Sequence, residues 1–267
     1  MKIFKIIKSP QDCLKLQNDL NNLDNYCDKN LLRLNLKKCN ILTFTRKLRP
    51  ILFDYKLQNT CLIRVSEIKD LGVYLDQKLT FTYHMNYVIA KAYQMLGFIL
   101  RLTKEFKNSF TLILLFNAYV RSILEYCSTV WYPYYKTYVN KIEKIQSKFL
   151  KHLRFRSGFS DNTDNNNISG IIPLNMRRSI RDQIFLYKIV HNIVDSKSLF
   201  NNILFKCPRL NSRNQTLFFV PLCNCDYSKN MFLLRACKNY NKHCTELDIF
   251  NSKISKFKFS LRHIFKL

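Results

Sequence analysis

The sequence contains very little glycine, with four glycines among 267 residues. No two of them lie within five residues of each other; they are Gly72, Gly97, Gly158 and Gly170. A P-loop and a dinucleotide-binding fingerprint both need closely spaced glycines, because the backbone must approach phosphate there. The sequence therefore excludes both motifs. The scarcity of glycine turns also favours helices over a many-stranded sandwich.

Familiar catalytic patterns are missing as well. No two acidic residues are adjacent, and neither HExxH nor GxSxG occurs. The five histidines are scattered, and no carboxylate is obviously grouped with them. We therefore interpret the histidines as surface or packing residues and expect neither catalytic residues nor a cofactor in this chain.

Long apolar runs are also lacking. The longest nearly apolar stretch, Phe110 to Val120, is shorter than the roughly 20 residues that span a bilayer. Lys2, Lys5 and Lys8 interrupt any signal-peptide core, and no small-residue cleavage site follows. The sequence predicts a cytoplasmic or nuclear protein with no membrane partner.

Ten cysteines are present, and in such a compartment we expect them to be reduced and mostly buried. A zinc site is the alternative for one group near the C-terminus: Cys223, Cys225, Cys237, His243 and Cys244. Its spacing matches no common zinc pattern, so the prediction is structural cysteines and no bound metal.

Basic residues outnumber acidic ones by 44 to 18, for a formal net charge of +26. Residues 1–80 contain 15 basic and 8 acidic residues, residues 81–156 contain 12 and 3, and residues 157–267 contain 17 and 7. The excess is therefore not a detachable tail. A polyanionic partner is the natural inference, because each cation that neutralises a phosphate releases counterions. A membrane surface and AT-rich coding bias are the alternatives.

Hydrophobic spacing divides the chain into two kinds of structure. Up to Asp76 it predicts a helix from Ser9-Pro10 to Lys29-Asn30, alternating strands within residues 31–46, a hairpin about Gln58-Asn59-Thr60, and a strand over 71–76. Beyond it, helices are predicted over residues 83–102, 109–127, 138–153, 176–194, 231–240 and 252–265. The helix over 109–127 is apolar almost all round, so we expect it to be buried.

Two polar patterns lie on these helices. Arg121 and Glu125 are spaced as a solvated ion pair. The helix over 138–153 has a basic face that is either simply solvated or a phosphate-contacting surface. That face comprises Lys141, Lys144, Lys148, Lys151 and Arg154, with one acid on the helix, Glu143.

An ordered succession of short segments resembles one protein family along essentially the whole chain. The segments are Met1–Phe4, Leu16–Leu20, Leu34–Cys39, Lys69–Asp76, Arg121–Tyr126 with Val130-Trp131, Glu143–Gln146 with Phe149-Leu150, Pro173-Leu174 with Arg177-Arg178, Leu186–Lys188 and Phe257–Phe259. This succession is similar to the reverse transcriptase of jockey-type non-LTR retrotransposons. In that family a catalytic Asp-Asp pair, which holds two divalent ions, directly precedes the segment matched by Met1–Phe4. The resemblance implies that the catalytic pair is absent here.

The resemblance also implies roles for two retained segments. Lys38, beside Lys37, matches a lysine that approaches the triphosphate and can protonate the departing pyrophosphate. Without the resemblance, both lysines simply end a strand in water. Leu71, Gly72 and Val73 match the hairpin called the primer grip, where glycine lets backbone approach the primer. Without the resemblance, Gly72 is an ordinary glycine at a strand bulge.

The sequence therefore predicts an α+β fold, with a small antiparallel sheet followed by a mainly α-helical region. The expected parts are a partial polymerase palm over 1–80, a thumb-like helical region over 81–156, a linker over 157–170 and a helical extension over 171–267. The expected function is that of a truncated RNA-directed DNA polymerase that binds RNA and DNA or hybrid duplex but is inactive alone. The intact family enzyme uses Mg²⁺. The alternatives are a stand-alone nucleic-acid-binding protein derived from such an element and a basic module acting through protein partners.

Overall fold

The computed structural model describes residues 1–106, 108–157, 171–206 and 216–265. The chain divides into two compact units, Met1–His84 and Met85–Leu267. The first contains short strands and the second is helical, so the predicted α+β class is confirmed at this level. Most of the predicted linker, residues 158–170, lies outside the described residues.

The first unit opens with helix α1, Pro10–Lys29, as the Ser9-Pro10 signal predicts. The Asp12 carboxylate accepts the backbone N–H groups of Lys8 and Ser9 at 3.0 and 2.9 Å. These two hydrogen bonds, together with one from the Ser9 hydroxyl, hold the pKa of Asp12 below its ordinary value. The Asp12 side chain therefore caps the start of α1.

The predicted alternating strands over residues 31–46 are largely wrong. Leu36–Lys38 forms a 3-10 turn, and only Asn40–Ile41, strand β1, pairs with another strand. Leu31 and Leu32 are exposed, so alternation in this segment does not correspond to a buried face. A period of two specifies which side chains share a face, but a strand also needs a neighbour to pair with.

Two tight hairpins make up most of the remaining first unit. Strands β2, Lys56–Leu57, and β3, Thr60–Cys61, flank Gln58-Asn59, whose φ angles of 47° and 57° identify the mirror-image turn that suits a hairpin. Strand β4, Ile63–Arg64, pairs in parallel with β1, whereas β5, Glu67–Asp70, and β6, Val73–Asp76, are antiparallel. The described strands thus form three two-stranded ladders, one of them parallel, instead of the single antiparallel sheet that was predicted.

The second unit is built from helices. The longer ones have bounds close to those predicted, whereas two four-residue helices were not predicted. Helix α2, Thr82–Leu102, crosses the division between the units. It is followed by α3, Ser109–Leu115, a π-helical turn over Phe116–Arg121, and α4, Ser122–Glu125. The remaining helices are α5 Lys136–Ser157, α6 Leu174–Val190, α7 Lys197–Phe200, α8 Asp226–Lys229, α9 Phe232–Asn241 and α10 Ile254–Ile264.

The core of this unit lies where the apolar stripes of these helices meet. On α5 the predicted stripe is buried, and Phe149 stacks on Phe116 with ring centroids 4.2 Å apart. The stripe consists of Ile142, Ile145, Phe149 and Leu153. A second cluster joins α6, α9 and α10 through Leu186, Ala236, Tyr240, Phe257 and Leu261. The spacing of apolar residues thus predicted the buried face of α5 correctly.

The helical segment that begins at Ser109 is not buried all round, contrary to expectation. Phe110, Leu114 and Tyr119 expose 71%, 57% and 53% of their surfaces. Leu112, Phe116, Val120 and Leu124 form its buried side. An apolar composition shows that a helix has a side to bury, but the number of neighbours decides how many sides are covered. Within the described ranges, no helix combines the length and the apolar character needed to cross a membrane.

Candidate nucleic-acid interface and arginine cluster

The basic face of α5 is exposed along three helical turns. Lys141, Lys144, Lys148 and Lys151 are all exposed, whereas the fifth predicted member, Arg154, is only partly so. We call these four lysines the lysine face. Their spacings of three, four and three residues keep them on one side of the helix over about 15 Å. One strand of a duplex presents about four phosphates over that length.

None of the four ammonium groups forms an ion pair with a carboxylate in the described part of the chain. Two of them lie over aromatic rings instead. Lys141 Nζ is 5.4 Å from the ring centroid of Tyr138, and Lys148 Nζ is 5.8 Å from that of Tyr93. Contacts of this kind orient a lysine without neutralising its charge. The face therefore presents four positive charges to solvent.

The single acidic residue of α5 does not offset these charges, because it is committed to another helix. The Glu143 carboxylate accepts the backbone N–H groups of Leu174 and Asn175 at 3.2 and 2.7 Å. It also lies 3.6 Å from the Arg178 guanidinium. Glu143 thus caps the N-terminus of α6, where the backbone N–H groups of the first turn have no partner within the helix.

The residues matched to the polymerase loop and to the primer grip both lie in the first unit. Lys37 and Lys38 are exposed in the 3-10 turn, so the alternative in which they end a strand is wrong. Leu71 and Gly72 form the turn between β5 and β6, with φ angles of 44° and 86°, so the strand predicted over 71–76 begins only at Val73. Gly72 suits this turn because an L side chain at that φ is strained. Val73 is buried, whereas Leu71 is exposed.

Glu125 does not form the solvated ion pair with Arg121 that its spacing predicts. It is buried, with 8% of its side chain exposed, and it pairs with Arg177 and Arg181 of α6 instead of forming a solvated pair with Arg121. Arg177 donates from Nε and Nη2 to the two carboxylate oxygens, and Arg181 Nη2 donates to Oε2 at 2.7 Å. Burial alone would raise the pKa of Glu125, but the arginines outweigh it and hold that pKa below its ordinary value.

A second buried network lies further along α6. Arg235 Nε donates to the Asp182 carboxylate at 2.7 Å, and its guanidinium lies 3.9 Å from the ring centroid of Tyr132. Arg178 is 1% exposed, and the carboxylates of Glu143, Glu125 and Asp182 all act on it electrostatically. Arg177 and Arg181 are four residues apart, as are Arg178 and Asp182. This spacing is the signal in the sequence that indicates two polar faces on α6.

The cysteines differ from expectation. Among the nine in the described ranges all are free, but three are buried: Cys13, Cys27 and Cys237. Cys61, Cys127 and Cys225 are exposed. Within the same ranges, no group of three or more His, Cys, Asp or Glu side chains is arranged to hold a metal ion.

Comparison with known proteins gives no match to a family model, a curated protein or a solved structure.

Proposed function

We propose that this chain binds the phosphate backbone of RNA or hybrid duplex, and that it corresponds to the late palm, thumb and C-terminal extension of a jockey-type reverse transcriptase. The lysine face carries the proposal. Its four exposed charges have no acidic partner among the described residues, and the one acid of α5 is used elsewhere. The ordered family-like segments in the sequence support the assignment to a polymerase.

Binding through such a face is independent of base sequence, because ammonium groups contact phosphates and do not read base edges. It is also strongly salt-dependent. Each lysine that neutralises a phosphate of duplex DNA contributes about 0.9 to the slope of log affinity against log salt. A face of four lysines therefore contributes about 3 to 4 to that slope.

The decisive experiment measures this slope for the unaltered protein and two charge-matched variants. The first replaces the lysine face with glutamine at positions 141, 144, 148 and 151. The control replaces four other exposed lysines of the same unit, Lys197, Lys238, Lys242 and Lys258. We expect the first variant to lose about 3 to 4 in slope and the control much less. Equal losses would show that only the total charge matters and would refute the lysine face as the interface.

Two alternatives remain distinguishable from this proposal. A flat salt dependence of the unaltered protein would favour a basic module that acts through protein partners. A stand-alone nucleic-acid-binding protein derived from such an element would bind in the same way as a polymerase part. An in-frame Asp-Asp codon pair in the DNA just upstream of the Met1 codon would favour the polymerase part.

A further inference from the structure

Three arginines of the second unit surround a single carboxylate. Arg121 comes from the π-helical turn, and Arg177 and Arg181 come from successive turns of α6. All three act electrostatically on Glu125. Two further carboxylates, Glu143 and Asp182, act with Glu125 on Arg178, and Asp182 is hydrogen-bonded to Arg235. The network thus contains five arginines and three carboxylates, so two positive charges have no negative counterpart.

Of the three arginines around Glu125, Arg121 is the one without a hydrogen-bonding partner among the described residues. Its guanidinium donates no hydrogen bond and forms no ion pair with any residue in the described ranges, whereas Arg177 and Arg181 both pair with Glu125. Arg121 is half-buried, and it precedes Glu125 by four residues of one helical segment, which places both side chains on the same side of that segment. Burial first, and then the positive charge of Arg177, lower the pKa of Arg121. Arginine nevertheless stays protonated, so a charged group is held partly desolvated among like charges.

The cluster is open to solvent and retains unused donors. The side chains of Arg177 and Arg181 are 26% and 39% exposed. Arg177 uses Nε and Nη2, and Arg181 uses Nη1 and Nη2, so Arg177 Nη1 and Arg181 Nε donate to no described residue. With Arg121, these groups provide N–H donors from three planar guanidinium groups around one surface.

We propose that Arg121, Arg177 and Arg181 form a binding site for a phosphate group. Guanidinium groups bind tetrahedral oxyanions through paired N–H donors, and a phosphate supplies both the missing negative charge and the acceptor oxygens. The π-helical turn that ends at Arg121 fits this role, since such turns are common at functional sites. The site involves no residue of the lysine face, so the inference goes beyond the proposed function and does not depend on it.

The phosphate can come from free inorganic phosphate or from a nucleic-acid strand, and titration calorimetry distinguishes them. One arm titrates the protein with inorganic phosphate, and the other titrates a 12-nucleotide single strand. Both arms compare the unaltered protein with Arg121→Gln and with the control Arg262→Gln, which removes a charge from an exposed position on α10. We expect Arg121→Gln to weaken binding by about tenfold or more in at least one arm, and Arg262→Gln to change it little.

Loss in the inorganic phosphate arm identifies a site for free phosphate, and loss in the strand arm alone identifies a site for a phosphodiester. Equal binding by Arg121→Gln and the unaltered protein in both arms would overturn the proposal. The melting temperatures of Arg121→Gln and the unaltered protein are compared in phosphate-free buffer. If the variant melts at the same temperature or higher, its loss of binding is not due to misfolding. The glutamine variant of the lysine face should keep inorganic phosphate binding, so the two proposals can fail separately.

Discussion

The carboxylate of Glu143 on α5 accepts the backbone N–H of Asn175 in the first turn of α6 at 2.7 Å, across 32 residues of sequence. This hydrogen bond links the first turn of α6 to α5. It also turns the only acid of α5 away from the lysine face. One side chain therefore contributes both to the packing of the second unit and to the positive charge of its surface.

Replacing Glu143 with alanine should destabilise the second unit by about 1–3 kcal/mol. The first turn of α6 loses its acceptor, and the buried Arg178 loses a nearby negative charge. Chemical denaturation measures the free energy of unfolding. Glu105→Ala, at an exposed position, is the matched control and should change it by less than about 0.5 kcal/mol. If both variants unfold alike, Glu143 does not cap α6 in solution.

Replacing Glu125 with glutamine should destabilise the same unit by about 2 kcal/mol or more, because three arginines then repel one another around a buried neutral group. Inorganic phosphate should restore part of this loss, since it supplies a substitute negative charge. Thermal denaturation with and without phosphate measures both effects. Glu246→Gln, which is exposed, serves as the control. A variant as stable as the control would show that Glu125 does not hold the arginines together.

The first unit should lose stability between pH 6.5 and about 4 through His84. Burial, and then the charge of Lys69, lower the pKa of His84 from 6.5 to about 4. The neutral ring also accepts the backbone N–H of Tyr74 at Nδ1, at 3.3 Å. The unfolded chain therefore binds a proton near pH 6.5 that the folded chain resists until about pH 4. The contribution of neutral His84 to the free energy of unfolding is complete above pH 6.5. It falls as the pH drops from 6.5 to about 4, by at most about 1.4 kcal/mol per pH unit.

Amide exchange of residues 1–84 at several pH values measures this dependence. The variant His84→Gln should show a shallower loss over the window, whereas His263→Gln, at an exposed site in the other unit, should behave like the unaltered protein. An unchanged slope in His84→Gln would mean that other groups account for the acid sensitivity.

The purified chain should not extend a primer. Two-metal nucleotidyl transfer needs carboxylates held close together, and no two acidic residues are adjacent in its 267 residues. The assay supplies primer-template, nucleotides and Mg²⁺ or Mn²⁺, with heat-inactivated protein as the control. Extension well above that control would show that carboxylates distant in sequence assemble a catalytic centre.

Local patterns predicted the elements whose determinants are local. The Ser9-Pro10 start of α1, the turn at Gln58-Asn59 and the opposing faces of α5 depend on residues within a few positions of one another, and all three are present. The strands within residues 31–46 depend on a partner, and the one partner of β1 in the described chain is the two-residue strand β4. Alternation alone could not show that this partner would be so short.

The sequence by itself determined the excess of positive charge, the spacing of the lysine face and the approximate bounds of the helices. Only the tertiary structure decided which charges are neutralised. Arg121 and Glu125 have the spacing of a helical ion pair, yet Glu125 pairs with Arg177 and Arg181 from a helix about 50 residues away. The physical reason is burial: once the carboxylate leaves water, it takes the partners that can surround it with hydrogen bonds, and those are set by how α4 packs against α6.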